Sequence, residues 1–383
     1  MGLDEVLELV SEIAVSTVAE NAEETDAKAQ WPERNLREIQ RVGLGGLVVP
    51  THLGGCGQGM TGLAKVCELL GRYCPSTALC FGMHCVGSAV LSAKASPEQV
   101  ERFLQPICQG RHLTTLALSE PGSGSHFYFP ESVLKASGTG YCLKGTKSFV
   151  TNGGCADSYV VSARAGEADA PPGQFSCLII PGETDGIRWK EPWQGLGMRG
   201  NSSRAADFDV KVPSDLLLGA EGDQLWYIFN VIAPHFLVAM AGTYLGLARR
   251  ALDAAISHLK NRSYLHSGSG LSEADVLQHR VGTMWGKLEA AAQLVYSAAG
   301  QGDQGSESAT LALFSAKSEM AEVAVTIVND SMTLMGGIAY REGSLMERLL
   351  RDVRAAHVMA PTTDLLRLWS GRMLLGQPIL GDL

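Results

Sequence analysis

The apolar period of this chain changes twice, and those two changes limit its fold more than any other feature. Up to about residue 112, apolar side chains recur at helical spacing. Leu3, Val6, Leu7, Val10, Ile13 and Ala14 mark an amphipathic helix over 3–18. Further helices are predicted at about 32–42, ending at Gly43, and at about 62–73, 76–93 and 97–109. From Leu113 the pattern shortens to strand-like segments at about 113–118, 141–151, 158–164, 174–181, 186–190 and 206–211, divided by Gly, Pro, Asn and Asp clusters. After Leu225 helical spacing returns, at about 238–260, 279–299, 316–335 and 362–374. The first of these carries small residues along one stripe, suited to close helix packing, and the third stops at Gly336-Gly337. Four such helices suggest an antiparallel bundle. The expectation is an α+β chain of three parts: an N-terminal α-helical domain over 1–112, a middle β-domain over 113–218 and a C-terminal four-helix bundle over 219–383.

Composition narrows the function. With 383 residues, 45% of them hydrophobic, the chain is long enough for two or three packed units. A net charge of −9 argues against nucleic acid and anionic membranes as partners. No uninterrupted apolar run approaches 18 residues, and the acids in MGLDEVLELVSEIAV stand where a signal peptide needs cations. Met1-Gly2 lacks the Ser or Thr at the sixth position that myristoylation requires. Nine cysteines lie between Cys56 and Cys177 with no CxxC pair. They read as apolar side chains in a reducing cytoplasm, and no metal site is expected. His84, inside the nearly apolar helix 76–93, has no partner at ligand spacing and reads as a core or site-lining histidine.

The stretch from Leu116 to Arg164 carries the chemistry. An apolar strand ends in Ser119-Glu120-Pro121, followed by Gly122-Ser123-Gly124-Ser125. That run offers backbone N–H groups and hydroxyls without bulky neighbours, which suits an anionic or flat polar ligand. Next, Lys147-Ser148-Phe149-Val150-Thr151-Asn152-Gly153-Gly154 sets an aromatic ring and a hydroxyl two residues apart, on one face if the strand is regular. Together the two halves resemble the flavin-binding middle domain of the acyl-CoA dehydrogenase superfamily, with its (Thr/Ser)-Glu-Pro-Gly-x-Gly-Ser loop and aromatic-x-Thr-Asn-Gly strand. Gly45–Gly57, Gly195–Ser202 and Val212-Pro213 resemble other connections of that family, so the likeness spans nearly the whole chain.

The resemblance implies a flavoprotein with FAD as its cofactor. Leu116, Leu118 and Ser119 would contact the pyrimidine edge, Gly124 and Ser125 the pyrophosphate or ring, and Phe149 and Thr151 the ring face. Arg262 and Tyr264, with Thr333, Gly336 and Gly337, would meet FAD from a neighbouring subunit, which implies a homodimer or homotetramer. Thr362 would lie near the adenosine diphosphate.

The substrate side departs from the family. Dehydrogenation of an acyl thioester needs a base at Cα, in most relatives a glutamate shortly after an Arg-Asp pair. Counting from Arg351-Asp352 to Thr362 puts Ala360 at that position, where only its backbone N–H remains to polarise a carbonyl, and Pro361 replaces a glycine. The alternative position, ten residues before Gly246, is Phe236. The Asp-x-x-Arg pair that contacts pantetheine is matched by Pro234 and Leu237. Other candidate bases are His235, His357, Asp364 and His126. Three functions follow. One is α,β-dehydrogenation of a CoA- or carrier-bound acyl thioester, with an electron-transfer flavoprotein or O2 as acceptor. Another is hydroxylation with reduced flavin and O2, where a histidine such as His84 or His357 would assist. The third is a non-catalytic flavin-binding relative.

Overall fold

The computed structural model describes all residues except 168, 172, 382 and 383. Its N-terminal part holds α1 (Leu3–Ile13), α2 (Ala19–Ala27), α3 (Glu33–Arg41), α4 (Gly59–Gly71) and α5 (Pro75–Lys94). The predicted helix 3–18 continues through one widened turn, Ala14–Val18, into α2. Eight strands follow: β1 (Thr114–Ala117), β2 (Val133–Ser137), β3 (Gly140–Val150), β4 (Ser158–Ala165), β5 (Phe175–Pro181), β6 (Ile187–Trp189), β7 (Arg204–Pro213) and β8 (Leu217–Leu218). They form one mixed sheet in the order β6-β7-β3-β2-β4-β5-β8, with β1 parallel to β4. β2 escaped the sequence reading because only Leu134 of its five residues is buried. β4 is buried along its first six residues, so it runs through the core.

The C-terminal part holds α6 (Ala233–Asn261), α7 (Asp275–Asp303), α8 (Ala309–Met335), α9 (Leu345–Val353) and α10 (Thr363–Leu374). The chain is α+β, helical at both ends around a mixed sheet. α9 is an addition to the four predicted helices; Ser344 caps it by accepting the Glu347 N–H at 3.1 Å. The small stripe of α6 does pack closely. A Cβ on Gly242 would sit 2.2 Å from the Ala64 carbonyl oxygen, and one on Gly246 2.0 Å from that of Glu68, so α4 and α6 touch backbone to backbone.

α6 also starts earlier than predicted, because it continues a helix from Gln224 through a π turn, Ile228–Ile232. A proline ring clashes with the carbonyl four residues back, and here that carbonyl belongs to Asn230, inside the widened turn. The same device precedes Pro106, whose clashing carbonyl lies in the π turn Val100–Leu104. The helix therefore survives Pro234 and brings Phe236 to the site. By length and composition, Pro75–Lys94 and Gln224–Asn261 would each suffice to cross a membrane, unlike the run count above. Each has 89% of its apolar window buried inside the fold, so both are core helices.

Candidate active site

One cavity of about 890 Å³ opens where the three parts meet. Leu116, Leu118, Ser119, Gly124 and Ser125 come from the end of β1 and its loop; Phe149 and Thr151 come from the end of β3. Leu79 and Met83 of α5, and Ile232, Ala233 and Phe236 at the start of α6, supply an apolar wall. Arg354, Ala355 and residues Val358 to Thr362, including Ala360, close the remaining side.

Phe149 does not arrive by simple alternation. The register of β3 against β7 slips between Lys147 and Val150, and Phe149 sits in the bulge at φ +53°. That turns its ring out of the sheet, 67% exposed and edge-on to Trp193 with centroids 6.2 Å apart. The neighbouring Asn152 is structural: it accepts from Trp31 Nε1 at 2.8 Å and donates to the Cys80 carbonyl at 3.0 Å. It ties the site strand to the N-terminal helices.

The cavity wall holds donors in want of a ligand. Among the described residues, the backbone N–H groups of Ser119, Gly124, Ser125 and Ala360 have no protein acceptor. A Cβ on Gly124 (φ +54°) would meet nothing within 4 Å, leaving the loop open to close approach. Such a wall fits a large, flat, anionic cofactor of the FAD type. Arg262, Tyr264, Thr333, Gly336 and Gly337 are exposed and do not line this cavity within one chain.

Among the described residues, no side-chain base stands free at the centre. Among the lining residues only Glu120, Arg351 and Arg354 carry charge. Glu120 is locked by Lys147, 2.5 Å away, and by the N–H groups of Glu131 and Ser132. Arg351 is held by Asp26, Glu347 and the Leu196 carbonyl. His84 is removed from the site: its Nε2 lies 2.8 Å from the Gly45 oxygen, its Nδ1 accepts the Thr114 N–H, and burial lowers its pKa to about 4. It is a core histidine joining the Gly45 loop to β1, and the assisting role considered for it has no geometric basis. His235 faces away from the lining residues on either side of it and bonds the Val231 carbonyl; burial lowers its pKa. His357 lies outside the lining with Nε2 3.8 Å from Glu322. Asp364 is exposed in the first turn of α10, and His126 lines a separate hollow of about 520 Å³ with Arg164.

Two buried charges to which the sequence assigns no role position the closing segment and the loop beside it. Lys317 of α8 is fully buried, and its Nζ donates to the carbonyls of Ala356 (2.9 Å), Pro361 (3.0 Å) and Met359 (3.5 Å). Burial lowers its pKa to about 8. A lone lysine among Leu313, Phe314, Ala316, Met320 and Ala321 was the available signal. Asp352 of α9 is also buried and accepts the Met198 N–H at 2.6 Å, fixing the 195–202 loop. Burial raises its pKa to about 6.

The Asp352 shift has a defined sign. The carboxyl holds its proton more tightly folded than unfolded, so stability falls as pH rises from about 4 to about 6, by about 3 kcal/mol. Asp352→Asn is expected to abolish that component of the pH dependence, as measured by denaturant midpoints across the window. A fall of equal size in the variant would contradict the assignment.

Family models match along the chain: acyl-CoA dehydrogenase N-terminal domain over 3–111, middle domain over 115–210 and C-terminal domain over 234–375. The chain is 30% identical over 371 residues to cyclohex-1-ene-1-carbonyl-CoA dehydrogenase of Geobacter metallireducens, covering 96% of this chain and 97% of the relative. Butyryl-CoA dehydrogenase of Megasphaera elsdenii superposes with TM-score 0.92 at 24% identity, over 97% of this chain and 98% of that one. The prolyl acyl carrier protein oxidase AnaB superposes with TM-score 0.87 at 21% identity, over 97% and 98%.

Proposed function

Because this chain belongs to the acyl-CoA dehydrogenase family of FAD-dependent oxidoreductases, we propose that it desaturates an acyl thioester between Cα and Cβ, with FAD in the cavity described. Bound there, FAD would supply a hydride acceptor for the β-hydrogen, and the α-proton would leave to water, since no lining side chain stands free to take it. Leu116, Leu118 and Ser119 would hold its pyrimidine edge, Gly124 and Ser125 its pyrophosphate or ring, Phe149 and Thr151 its ring face, and Thr362 its adenosine diphosphate.

The observation that carries this reading is the unpaired Ala360 N–H on the wall formed by the 354–362 segment. The C=O and N–H of a trans peptide point opposite ways. Lys317 draws the Met359 carbonyl toward itself, so the Ala360 N–H turns away from Lys317 and into the cavity that Ala360 lines. A thioester carbonyl there would receive a fixed donor as its oxygen gains charge. The acyl chain would lie along Leu79, Met83, Ile232 and Phe236. FAD titration of purified protein tests the cofactor half; protein that stays colourless after FAD addition contradicts it.

One observation favours a second reading. Ala360 and Phe236 leave both usual base positions apolar, and the lining carboxylate Glu120 is already paired. Hydroxylation with reduced flavin and O2 requires no carboxylate at Cα. The two readings part on oxygen: reduction of the flavin by the thioester proceeds without it, and hydroxylation does not.

The substrate is CoA- or carrier-bound. Leu237, at a position where relatives contact pantetheine, is only 1% exposed and serves the core, so pantetheine of either source would need other contacts here. The electron acceptor is an electron-transfer flavoprotein or O2, and nine unbridged cysteines suit the cytoplasm.

Tyr264, Leu265, Ile338 and Tyr340 are exposed beside Arg262, Thr333 and Gly336-Gly337, a surface that suits a second copy of the chain completing the FAD site in a homodimer or homotetramer. Arg262→Glu is expected to weaken FAD binding by about 10²-fold, since attraction to phosphate becomes repulsion. Unchanged affinity in a fluorescence titration would remove Arg262 from the site.

A further inference from the structure

Behind the Leu118–Ser125 loop lies a lysine that faces away from the cavity. Lys147 of β3 is fully buried, and its Nζ reaches Glu120 Oε1 at 2.5 Å, the Ser162 carbonyl at 2.6 Å, Ser162 Oγ at 3.1 Å and the Leu118 carbonyl at 3.3 Å. The Glu120 carboxylate, equally buried, accepts the Ser132 N–H at 3.0 and 3.1 Å and the Glu131 N–H besides. Both side chains are shielded from bulk solvent. Burying two charges gains little net stability over apolar residues of the same size, so stability alone is a poor reason for the pair.

Its geometry supplies another reason. Lys147 draws the Leu118 carbonyl inward, so the Ser119 N–H of the same peptide plane points the other way, into the cavity that Ser119 lines. That N–H has no protein acceptor. The next plane is fixed as well, because the Ser119 carbonyl accepts the Ser148 N–H at 2.7 Å. We propose that Lys147, held by Glu120, is a positioning residue that aims the Ser119 N–H at the pyrimidine edge of FAD and thereby sets both the affinity for FAD and the balance between its oxidised and reduced forms. The inference rests on the FAD site proposed above. Reduction adds negative charge to the pyrimidine edge, so a fixed donor there favours the reduced cofactor more than the oxidised one.

The test compares wild type, Lys147→Met and the double variant Glu120→Gln/Lys147→Met. The double variant removes the buried carboxylate that the single change leaves without its cation, and so covers the case where the single variant fails to fold. FAD affinity is read by fluorescence titration and the midpoint potential by dye equilibration. Both variants are expected to bind oxidised FAD about tenfold more weakly than wild type. They should lose a further tenfold for the reduced form, which lowers the two-electron potential by about 30 mV. A generally loosened fold would lower the affinity without moving the potential. Folded variants with wild-type affinity or an unchanged potential would overturn the proposal. Failure of wild type to bind FAD would instead overturn the cofactor reading on which it rests.

Discussion

Replacing Ala360 with glutamate is expected to speed anaerobic reduction of the bound flavin by an acyl thioester about 10²-fold. Ala360 lines the cavity on the closing segment, and its backbone N–H is the unpaired donor proposed for the substrate carbonyl. A carboxylate from the same residue would stand beside Cα, where no lining side chain now supplies a base. General bases contribute about 10²–10⁴-fold, so restoring one should be seen first in the reduction step itself. Stopped-flow absorbance reads that step directly. A rate equal to or below that of wild type, in a variant retaining FAD, would show that proton removal at Cα does not limit this enzyme.

Lys317→Met should act in the opposite direction, lowering kcat by about 10²-fold while FAD content is retained. The side chain keeps most of its length but loses the donor that holds the carbonyls of Ala356, Met359 and Pro361. Without it the Met359–Ala360 peptide is free to rotate, and the Ala360 N–H no longer waits at one position. Loss of a donor that acts mainly as charge develops falls on kcat more than on KM. In wild type the same residue predicts a decline in kcat as pH rises through about 8, where the ammonium becomes an amine with one donor fewer. The variant should lack that decline. Turnover within about threefold of wild type would detach Lys317 from the reaction.

The loop and strand-end residues that line the cavity were legible in the sequence because they are set by local chain geometry. Gly122–Ser125 is a run of small residues whose backbone stays open, and its composition says so. Phe149 and Thr151 do line one cavity, but not as a pair on one regular strand face. A bulge after Lys147 carries Phe149 there, and nothing in Ser148-Phe149 announces the extra residue. The early start of α6 was hidden for a similar reason: Pro234 looks like a boundary unless a π turn beneath it is known. Lys317, Asp352, Lys147 and Glu120 act through backbone atoms distant in sequence, and long-range pairing of that kind leaves no spacing to read. The phase of β3 does mark Lys147, which points inward four residues after the buried Leu143. His84 shows the reverse case, since a lone histidine invites a chemical role and here joins a loop to a strand.

The reaction proposed for this cavity is the desaturation of an acyl thioester. Anaerobic mixing of the FAD-loaded protein with CoA- and carrier-bound acyl thioesters, followed by flavin absorbance and product mass, tests it most directly. Bleaching of the flavin in step with a product lighter by two hydrogens is the predicted result. A flavin left oxidised by every thioester, with turnover that requires NAD(P)H and O2 and adds an oxygen to the product, would contradict it.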